Sequence, residues 1–314
     1  MRIFTFMRPL YKERTVYIRI IPRLDIKGPN LVKGINFEGL RVLGKPDAFA
    51  RYYYENGADE LIYMDAVASL YNRNSLVDIV TTTAREIFIP LTVGGGLRSL
   101  DDIRRVLRAG ADKVSLNTAA IANPGIIREA SRAFGSSTIL VSIEAIRKFD
   151  GEYEAYVNFG RERTGVDVFD WAKQAVDLGA GELMITAIDK EGTGKGFDLE
   201  LTQRIAGSVP VPVIAAGGAG RMAHVFDVIN DGLADAVALA SILHYHPRDE
   251  MPADPADYAR EGNTEFLQRG TGFSRIQSAT LPQIKSFLSD HQVACRLTQA
   301  PPGTTNRSRK ESYV

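Results

Sequence analysis

A closed (β/α)8 barrel is the fold class that this sequence predicts, because short apolar runs alternate with amphipathic stretches along the chain. The runs indicate eight strands, near residues 17–24, 61–65, 88–93, 112–116, 138–144, 182–188, 211–215 and 235–240. Strand followed by helix, repeated in this way, means parallel strands joined by crossover connections. The first strand-to-helix turn lacks the GxGxxG pattern of an open dinucleotide-binding sheet. Two similar (β/α)4 halves also favour closure into a TIM barrel, whose catalytic loops follow the carboxyl ends of the strands.

The two halves of the chain repeat the same three features in the same order. In each half one strand ends in a carboxylate, a later strand runs into a glycine-rich turn, and the next strand ends in small residues. The pairs are Asp25 with Glu144, Gly95 and Gly96 with Gly217 and Gly218, and Asn117 and Thr118 with Ala240 and Ser241. A duplicated chain of this kind predicts a site with approximate twofold symmetry. The alternative is that the repeat records only the history of the fold.

Bulk composition excludes several classes of function. The chain has 38 basic and 38 acidic residues, so its formal net charge of zero gives no reason to expect nucleic acid or an anionic membrane as partner. Cys295 is the only cysteine, which rules out an internal disulfide. No apolar run is long enough for a membrane helix. We expect a soluble, cytoplasmic enzyme, and the four histidines form no ligand set, so no metal or other cofactor is predicted.

One barrel domain is expected over residues 16–298, ending in a helix near 280–290. An extension that packs on the barrel or is disordered fits residues 1–15 better than a targeting signal does. Residues 247–275 are rich in glycine, proline and charge and follow the last strand, so they indicate an insertion on the catalytic face. This insertion is either a solvated loop or a lid or partner contact. Residues 299–314 have the composition of a disordered tail.

Asp25 and Glu144 are the candidate catalytic residues, because each ends an apolar strand where barrel side chains reach the substrate. A carboxylate in that position must meet solvent, a cation or a substrate. Two carboxylates from opposite sides of a barrel suit general acid–base catalysis, in which one holds a proton while the other accepts one. Arg23 points to the same side of the strand as Asp25, so a structural ion pair is the alternative role for this aspartate.

The two glycine-rich turns predict phosphate sites. Glycine lets backbone N–H groups approach a phosphate closely, and the helix that follows each turn favours an anion. The predicted sites comprise Gly95, Gly96, Asn117 and Thr118 in the first half, and Gly217, Gly218, Ala240 and Ser241 in the second. Tight turns require glycine for steric reasons as well, but two copies in register favour phosphate. The substrate would then carry a phosphate at each end.

Two loops could add further contacts to the substrate. Lys33, in the loop after strand one, could neutralise a phosphate or an oxyanion, although a lone loop lysine is more often solvated. The loop of residues 189–198 follows strand six. In it Glu191 could bind ribose hydroxyls while Gly192 and Thr193 bind phosphate, and a mobile acidic loop is the alternative.

Six segments occur in order along the chain and suggest a family: LDIKGPNLVKG, LTVGGGL, GADKVSLNTAA, GAGELMITAIDKEGT, IAAGGAG and ALAS. Together they resemble the cyclase subunit of imidazole glycerol phosphate synthase, a family of (β/α)8 barrels. The resemblance implies an enzyme that takes ammonia from a separate glutaminase subunit. It would cleave and cyclise a doubly phosphorylated ribulosyl-formimino aminoimidazole carboxamide ribonucleotide. The products would be imidazole glycerol phosphate, for histidine biosynthesis, and an aminoimidazole carboxamide ribonucleotide.

The resemblance assigns catalysis to Asp25 and to the position of Glu144, and substrate binding to Lys33. It also assigns one phosphate site to Gly96, Asn117 and Thr118, and the other to Gly192, Gly218, Ala240 and Ser241. It also implies an ammonia gate, which is a ring of charged residues at the N-terminal mouth of the barrel. The four matching residues are Arg19, Glu60, Lys113 and Glu182. Ordinary solvation of strand starts is the alternative explanation for these charges.

Three features depart from the family pattern. Glu144 stands where the family has an aspartate and is one methylene longer, and a displacement of about 1 Å can cost on the order of a hundredfold in rate. Arg23 replaces a small residue, and residues 247–275 are inserted. These departures keep a second hypothesis open: a paralogue that uses ammonia in the biosynthesis of acetamidino or amino sugars. A catalytically inactive barrel that binds a partner is a third, which the joint presence of Asp25, Lys33 and both turns argues against.

Overall fold

The computed structural model of the protein describes residues 17–68, 76–250 and 275–297. Within these ranges the strands are β1 (Arg19–Lys27), β2 (Asn30–Ile35), β3 (Glu38–Gly44), β4 (Leu61–Asp65), β5 (Leu91–Gly94), β6 (Lys113–Leu116), β7 (Ile139–Arg147), β8 (Tyr153–Val157), β9 (Glu162–Asp167), β10 (Glu182–Ala187), β11 (Val213–Ala216) and β12 (Ala236–Leu239). Eight of them form a parallel barrel in the order β1, β4, β5, β6, β7, β10, β11, β12. The pairing of β12 with β1 closes it, and the predicted (β/α)8 barrel is confirmed.

Helices connect the barrel strands and cover the barrel. They are α1 (Pro46–Glu55), α2 (Val77–Thr83), α3 (Leu100–Arg108), α4 (Thr118–Ala122), α5 (Gly125–Phe134), α6 (Val168–Asp177), α7 (Leu199–Ala206), α8 (Met222–Asn230), α9 (Ser241–Glu250) and α10 (Leu281–Asp290). Side-chain caps fix where several of them begin, because an oxygen accepts a hydrogen bond from an unpaired N–H of the first turn. Ser99 caps α3, Asp167 caps α6, Asp198 caps α7, and Thr280 caps α10 with a full capping box.

Alternation along the strands separates two apolar regions. Outward-facing residues such as Ile20 and Leu24 of β1 pack against the helices in the main core. Inward-facing residues of the same strand lie inside the barrel, where Ile21 belongs to a second, smaller apolar cluster. The other members of this inner cluster are Ile62, Met64, Leu140, Met184, Ile214, Ala216, Ala236 and Ala238. The barrel interior is therefore packed and apolar at mid-height, with polar residues above and below.

A structural clamp holds the last helix to the N-terminal face of the barrel. Lys285 of α10 is 1% exposed, and its Nζ donates to Gly57 O at 2.8 Å and to Asp59 Oδ1 at 2.7 Å. Nearby, the backbone of Cys295 forms an isolated bridge with Ile18 beside the start of β1. The C-terminal segment thus belongs to the face at which the barrel strands begin.

Two antiparallel hairpins extend the barrel on its catalytic face. β2 and β3 continue from β1, and β8 and β9 continue from β7, so each half of the chain carries one hairpin. The sequence prediction of a loop after strand one was wrong at this point, because these strands mix polar and apolar residues and do not form a clear apolar run. A repeated Asn-Phe pair, Asn36-Phe37 and Asn158-Phe159, takes positive φ values of 50–64° at the two hairpin turns. Asparagine tolerates this left-handed region better than most residues.

Phe37 and Phe159 meet where the two hairpins converge. Their ring centroids are 4.2 Å apart, and both side chains are buried. They belong to an apolar cluster with Val32, Val42, Ala66 and Ile188. The aromatic pair therefore joins the two halves of the chain above the barrel interior.

Some predicted segments lie outside the described residues. These are the N-terminal extension at 1–15, the tail at 299–314 and most of the insertion at 247–275. At the start of that insertion, residues 247–250 belong to α9, which includes Pro247, so this part is helical and not a loop. No helix within the described ranges has the length and apolar character needed to cross a membrane.

We predict that Phe37→Ala lowers the melting temperature by roughly 5–10 °C, because it removes a buried aromatic ring worth about 3 kcal/mol or more. Thermal unfolding followed by circular dichroism measures the effect. Phe149→Ala is the matched control, since Phe149 is fully exposed in the turn between β7 and β8. An unchanged melting temperature in Phe37→Ala would show that the aromatic pair does not hold the hairpins together.

Candidate active site

Asp25 and Glu144 lie at the carboxyl ends of opposite barrel strands. Asp25 is on β1 and Glu144 is on β7, four strands away around the barrel in either direction. Both are almost fully buried, at 1% and 3% exposure. The structure thus brings the two predicted carboxylates into the interior of the catalytic face, where each needs a charged or hydrogen-bonding partner.

Two buried cations hold Asp25. Arg23 Nε donates to Asp25 Oδ1 at 3.0 Å, and Lys33 Nζ lies 3.4 Å from Oδ2. The period-two prediction that Arg23 faces the same side as Asp25 is confirmed. Lys33 lies on β2 and is buried, so the predicted loop position and the alternative of a solvated lysine are both wrong. Burial favours the neutral lysine, but Glu191, which is directly bonded to Lys33, and Asp25 outweigh it and raise the pKa of Lys33.

Arg23 contacts more of the site than Asp25 alone. Besides Asp25, its guanidinium contacts Thr186 of β10, to which Nη1 donates at 3.3 Å, and it lies 5.3 Å from the ring centre of Phe37. Burial favours the neutral form, but the carboxylates of Asp25, Glu191 and Glu144 raise the pKa of Arg23 above its ordinary value. Its Nη2 atom is buried and has no hydrogen-bond partner among the described residues.

Glu144 is not bonded to a cation in the described part of the chain, unlike Asp25. Its Oε2 accepts a hydrogen bond from the backbone N–H of Gly160 at 2.8 Å. Burial raises the pKa of Glu144 to about 7, since the opposing effects of Arg23 and the Gly160 N–H do not compensate and Asp25 adds repulsion. A carboxyl group of this kind can hold or release a proton near neutral pH. The sequence indicated the position of Glu144 but not this property, which depends on burial.

The first glycine turn borders a cavity of about 280 Å³ that extends to Glu144. Predicted phosphate-site residues Gly95, Gly96, Asn117 and Thr118 all line it, together with Arg98 and Phe159. Asn117 Oδ1 is buried without a partner among the described residues, while Thr118 Oγ1 accepts from the N–H of Asn158. The structure therefore brings the first predicted set together in one cavity. Sequence reasoning missed Arg98, because one arginine after a glycine turn is not distinctive.

The second glycine turn is covered by the loop that follows β10. Gly196 N donates to Gly218 O at 2.8 Å, and Glu191 lies against Gly217, where an added Cβ would be 3.0 Å from its Oε2. Glu191 pairs with Lys33 in this arrangement, and its contact with a ribose stays a prediction. Thr193 Oγ1 donates to Lys190 O within the loop. Ser241, which follows Ala240 at the start of α9, has a buried Oγ without a partner in the described part of the chain.

A closed ring of ion pairs fills the N-terminal mouth of the barrel. Arg19 bonds Glu60 at 2.7 Å and Glu182 at 2.5 Å, and Lys113 bonds the same two carboxylates at 3.0 and 3.1 Å. The four residues come from the starts of β1, β4, β6 and β10, which the barrel brings together from distant parts of the sequence. The structure thus assembles the four residues that the sequence analysis grouped as an ammonia gate.

His244 contacts the backbone of the site at Arg23. It is fully buried in α9, with Nδ1 2.6 Å from Tyr53 Oη and Nε2 2.9 Å from the backbone oxygen of Arg23. Burial, with Lys33 nearby, lowers the pKa of His244 to about 3, so the ring is neutral. The pairing of β1 with β12 ends at Pro22. His244 therefore bonds the backbone oxygen of Arg23, the first residue of β1 beyond that pairing. No sequence signal marked this role, because the histidine contacts backbone that is far away in the chain.

The sequence is similar to those of known proteins. Residues 19–248 match the family described as "Histidine biosynthesis protein". The chain belongs to this family. Relatives named "Imidazole glycerol phosphate synthase subunit HisF" include a Legionella pneumophila protein that is 57% identical over 205 residues, or 65% of this chain and 97% of the relative. Others come from Methanocaldococcus jannaschii (48% identical; 72% of this chain and 90% of the relative) and Prochlorococcus marinus MIT 9215 (51% identical; 73% and 90%).

For this histidine biosynthesis protein, we predict that Glu144→Gln raises the melting temperature at about pH 8 by about 5 °C but leaves it unchanged at about pH 4. The folded-state pKa of about 7 exceeds the ordinary value of 4.5, so the folded protein binds this proton more tightly than the unfolded chain does. Ionisation therefore costs stability progressively from about pH 4.5, and the full cost is present above about pH 7.

Thermal unfolding of both proteins across this pH range gives the comparison. Glu152→Gln serves as the control, because Glu152 is exposed beside the β7–β8 turn. If Glu144→Gln and the unmodified protein differ in melting temperature by the same amount at about pH 4 and about pH 8, the pKa assigned to Glu144 is wrong.

Proposed function

We propose that this chain is the cyclase subunit of an imidazole glycerol phosphate synthase, an enzyme of the lyase class that acts in histidine biosynthesis. The observation that carries the proposal is the arrangement of the barrel, which has two carboxylates and two glycine turns at one end and a charged ring at the other. The chain is also about half identical to proteins of that name. The proposed substrate is the doubly phosphorylated ribulosyl-formimino aminoimidazole carboxamide ribonucleotide. The products are imidazole glycerol phosphate and an aminoimidazole carboxamide ribonucleotide.

The two glycine turns would anchor the two phosphates. The first phosphate would enter the cavity at Gly95 and Gly96, where backbone N–H groups of the turn and the guanidinium of Arg98 would donate to it. The second would bind at Gly217 and Gly218 with Ala240, Ser241, Gly192 and Thr193. Because Glu191 now lies against that second turn, its carboxylate must move when a phosphate binds there. The reacting centre would then lie between the anchors, above the barrel axis.

The unequal carboxylates suggest separate proton-transfer roles. Asp25, held between Arg23 and Lys33, is placed to accept a proton from the nitrogen nucleophile after attack. Glu144, whose pKa lies near 7, can donate a proton to the leaving group and be reprotonated at neutral pH. Lys33 can move from Asp25 and Glu191 to a developing negative charge on the substrate.

A glutaminase subunit is the proposed partner, bound at the N-terminal face. Of the large apolar side chains exposed in the described part of the chain, Tyr17, Phe88 and Leu297 are on that face, around the charged ring. Phe88 is 80% exposed and precedes β5, beside the ring of Tyr54. Aromatic residues at the centre of a polar rim are typical of interface anchors. Ammonia released by such a partner would enter the barrel through the ring of Arg19, Glu60, Lys113 and Glu182.

A second candidate function follows from the unusual residues of the site. Arg23 fills the interior below Asp25, and Glu144 is longer than an aspartate. These features suit an ammonia-dependent enzyme that acts on another substrate, such as one that aminates sugars for acetamidino or amino-sugar biosynthesis. Purified protein should therefore be incubated with ammonium and the ribulosyl substrate. Absence of turnover, together with failure to rescue a histidine auxotroph that lacks its own cyclase, would favour this second function.

We predict that Asp25→Asn lowers turnover of the ribulosyl substrate by about a thousandfold, since it removes a general acid–base group. Substrate should still bind, because the phosphate anchors are unchanged. Loss of substrate with ammonium as nitrogen source measures turnover, and titration calorimetry measures binding. Asp78→Asn, at an exposed position in α2, is the control. Unchanged turnover in Asp25→Asn would remove this residue from the mechanism.

We also predict that Phe88→Glu lowers glutamine-dependent turnover by at least about tenfold, because a charge at an interface anchor weakens subunit binding. Turnover supported by added ammonium should stay within about twofold, since the catalytic face is at the other end of the barrel. Phe149→Glu places the same change on the catalytic side and should leave both activities intact. A Phe88→Glu variant with normal glutamine-dependent activity would place the partner elsewhere.

A further inference from the structure

Among the described residues, Arg23 is a long polar side chain inside the barrel, between the charged ring and the two carboxylates. The inward-facing residues of β1 are, from the N-terminal mouth upward, Arg19 of the ring, Ile21, Arg23 and Asp25. Ile21 belongs to the apolar layer inside the barrel. Arg23 lies one layer above it, directly below the catalytic face.

The guanidinium of Arg23 reaches across this interior. It donates to Asp25 on its own strand and to Thr186 on β10, which is three strands away from β1 in the barrel. The side chain is 2% exposed. A small molecule that moves along the barrel axis from the ring toward the carboxylates therefore meets this guanidinium.

One nitrogen of this guanidinium, Nη2, makes no hydrogen bond to the described residues. Nη2 is buried, and the lack of a partner there is costly and uncommon for a charged group. Phe37 lies over the guanidinium and Asp25 is bonded to it, so both restrict approach from the catalytic face. These contacts favour a small guest that accepts a hydrogen bond over a large substrate group.

Two hydroxyl groups in the same interior also have no partner in the described ranges. Thr92 Oγ1 is on β5, in register with Lys113 of the ring, and Ser115 Oγ is on β6 and lines the cavity that extends to Glu144. Both are buried. Unpaired polar atoms therefore lie at two heights between the ring and the catalytic face, as expected of an interior that accommodates a small polar molecule.

We infer that Arg23 is the ammonia-binding residue of the barrel: Nη2 donates to the lone pair of ammonia and holds the molecule beneath Asp25 and Glu144. The inference rests on the proposed function, in which ammonia enters through the charged ring. Neutral ammonia fits this donor, because an ammonium ion has no lone pair to accept the hydrogen bond and is repelled by the guanidinium. An anionic group of the substrate is the competing ligand, and it predicts different kinetics.

Steady-state kinetics with ammonium chloride as nitrogen source separates the two ligands. Arg23→Met should raise KM for ammonia by about tenfold, the effect of losing one hydrogen bond from a charged donor, and leave KM for the phosphorylated substrate within about twofold. Arg23→Lys keeps the positive charge and loses Nη2, so it should raise the same KM for ammonia. Lys285→Met is the matched control, because it removes a buried cation outside the site and should lower the melting temperature without changing either KM.

The two KM values distinguish ammonia from a substrate anion as the ligand of Nη2. A rise in KM for the phosphorylated substrate alone would assign Nη2 to a substrate anion and overturn the inference. Unchanged KM values for both reactants would leave Arg23 with a structural role and also overturn it. Absence of turnover in the unmodified protein would instead count against the proposed function. A second measurement, which follows the ¹⁵N signal of the Arg23 side chain, then tests Arg23.

That second measurement needs no phosphorylated substrate. In protein labelled with ¹⁵N-arginine, the side-chain signal that disappears in Arg23→Lys is assigned to Arg23 and followed as ammonium chloride is added at constant ionic strength. We expect a saturable shift that tracks the unprotonated fraction as pH rises, and no shift with sodium chloride. A signal that does not respond to ammonia would overturn the inference, whether or not the protein turns over substrate.

Discussion

The catalytic face of this barrel depends on a balance of buried charge. Two cations, Arg23 and Lys33, lie among three carboxylates, Asp25, Glu144 and Glu191, and none of the five is more than 4% exposed. Charges removed from water in this way are stable only when they are paired. Asp25 bonds both cations and Glu191 bonds Lys33, which leaves Glu144 with two neutral hydrogen-bond partners, the N–H of Gly160 and the side chain of Asn117. One carboxyl group of the cluster is therefore able to exchange a proton near neutral pH.

The barrel is symmetric in its backbone and asymmetric in its chemistry. Each half adds a hairpin to its first strand, and the two hairpins meet through Phe37 and Phe159. The hairpin of the first half brings the charge of Lys33 to Asp25, whereas that of the second half brings only the N–H of Gly160 to Glu144. The same architecture thus gives two carboxylates at equivalent positions different charged and hydrogen-bonding surroundings. An acid–base pair needs such a difference.

Most of the scaffold was predictable from the sequence, because each barrel strand is an apolar run between stretches that favour helices or turns. The pairing of Asp25 with Arg23 also followed from the local period of two along a strand. The hairpins were missed, since strands half exposed to solvent lack that apolar signal, and Lys33 was therefore assigned to a loop. Arg98 was missed as well, because its place beside the first glycine turn becomes evident only when the cavity there is known.

Local sequence patterns were sufficient to establish the fold class, the duplicated halves and the identity of the two strand-end carboxylates, because alternation and glycine content act over a few residues. The burial of Lys33, its pairing with Glu191 and the unpaired Nη2 of Arg23 depended on the assembled protein. So did the pKa of Glu144, which is raised mainly by loss of water and altered by charges on other strands. Desolvation and long-range charge are properties of a closed three-dimensional site, and no short stretch of sequence encodes them.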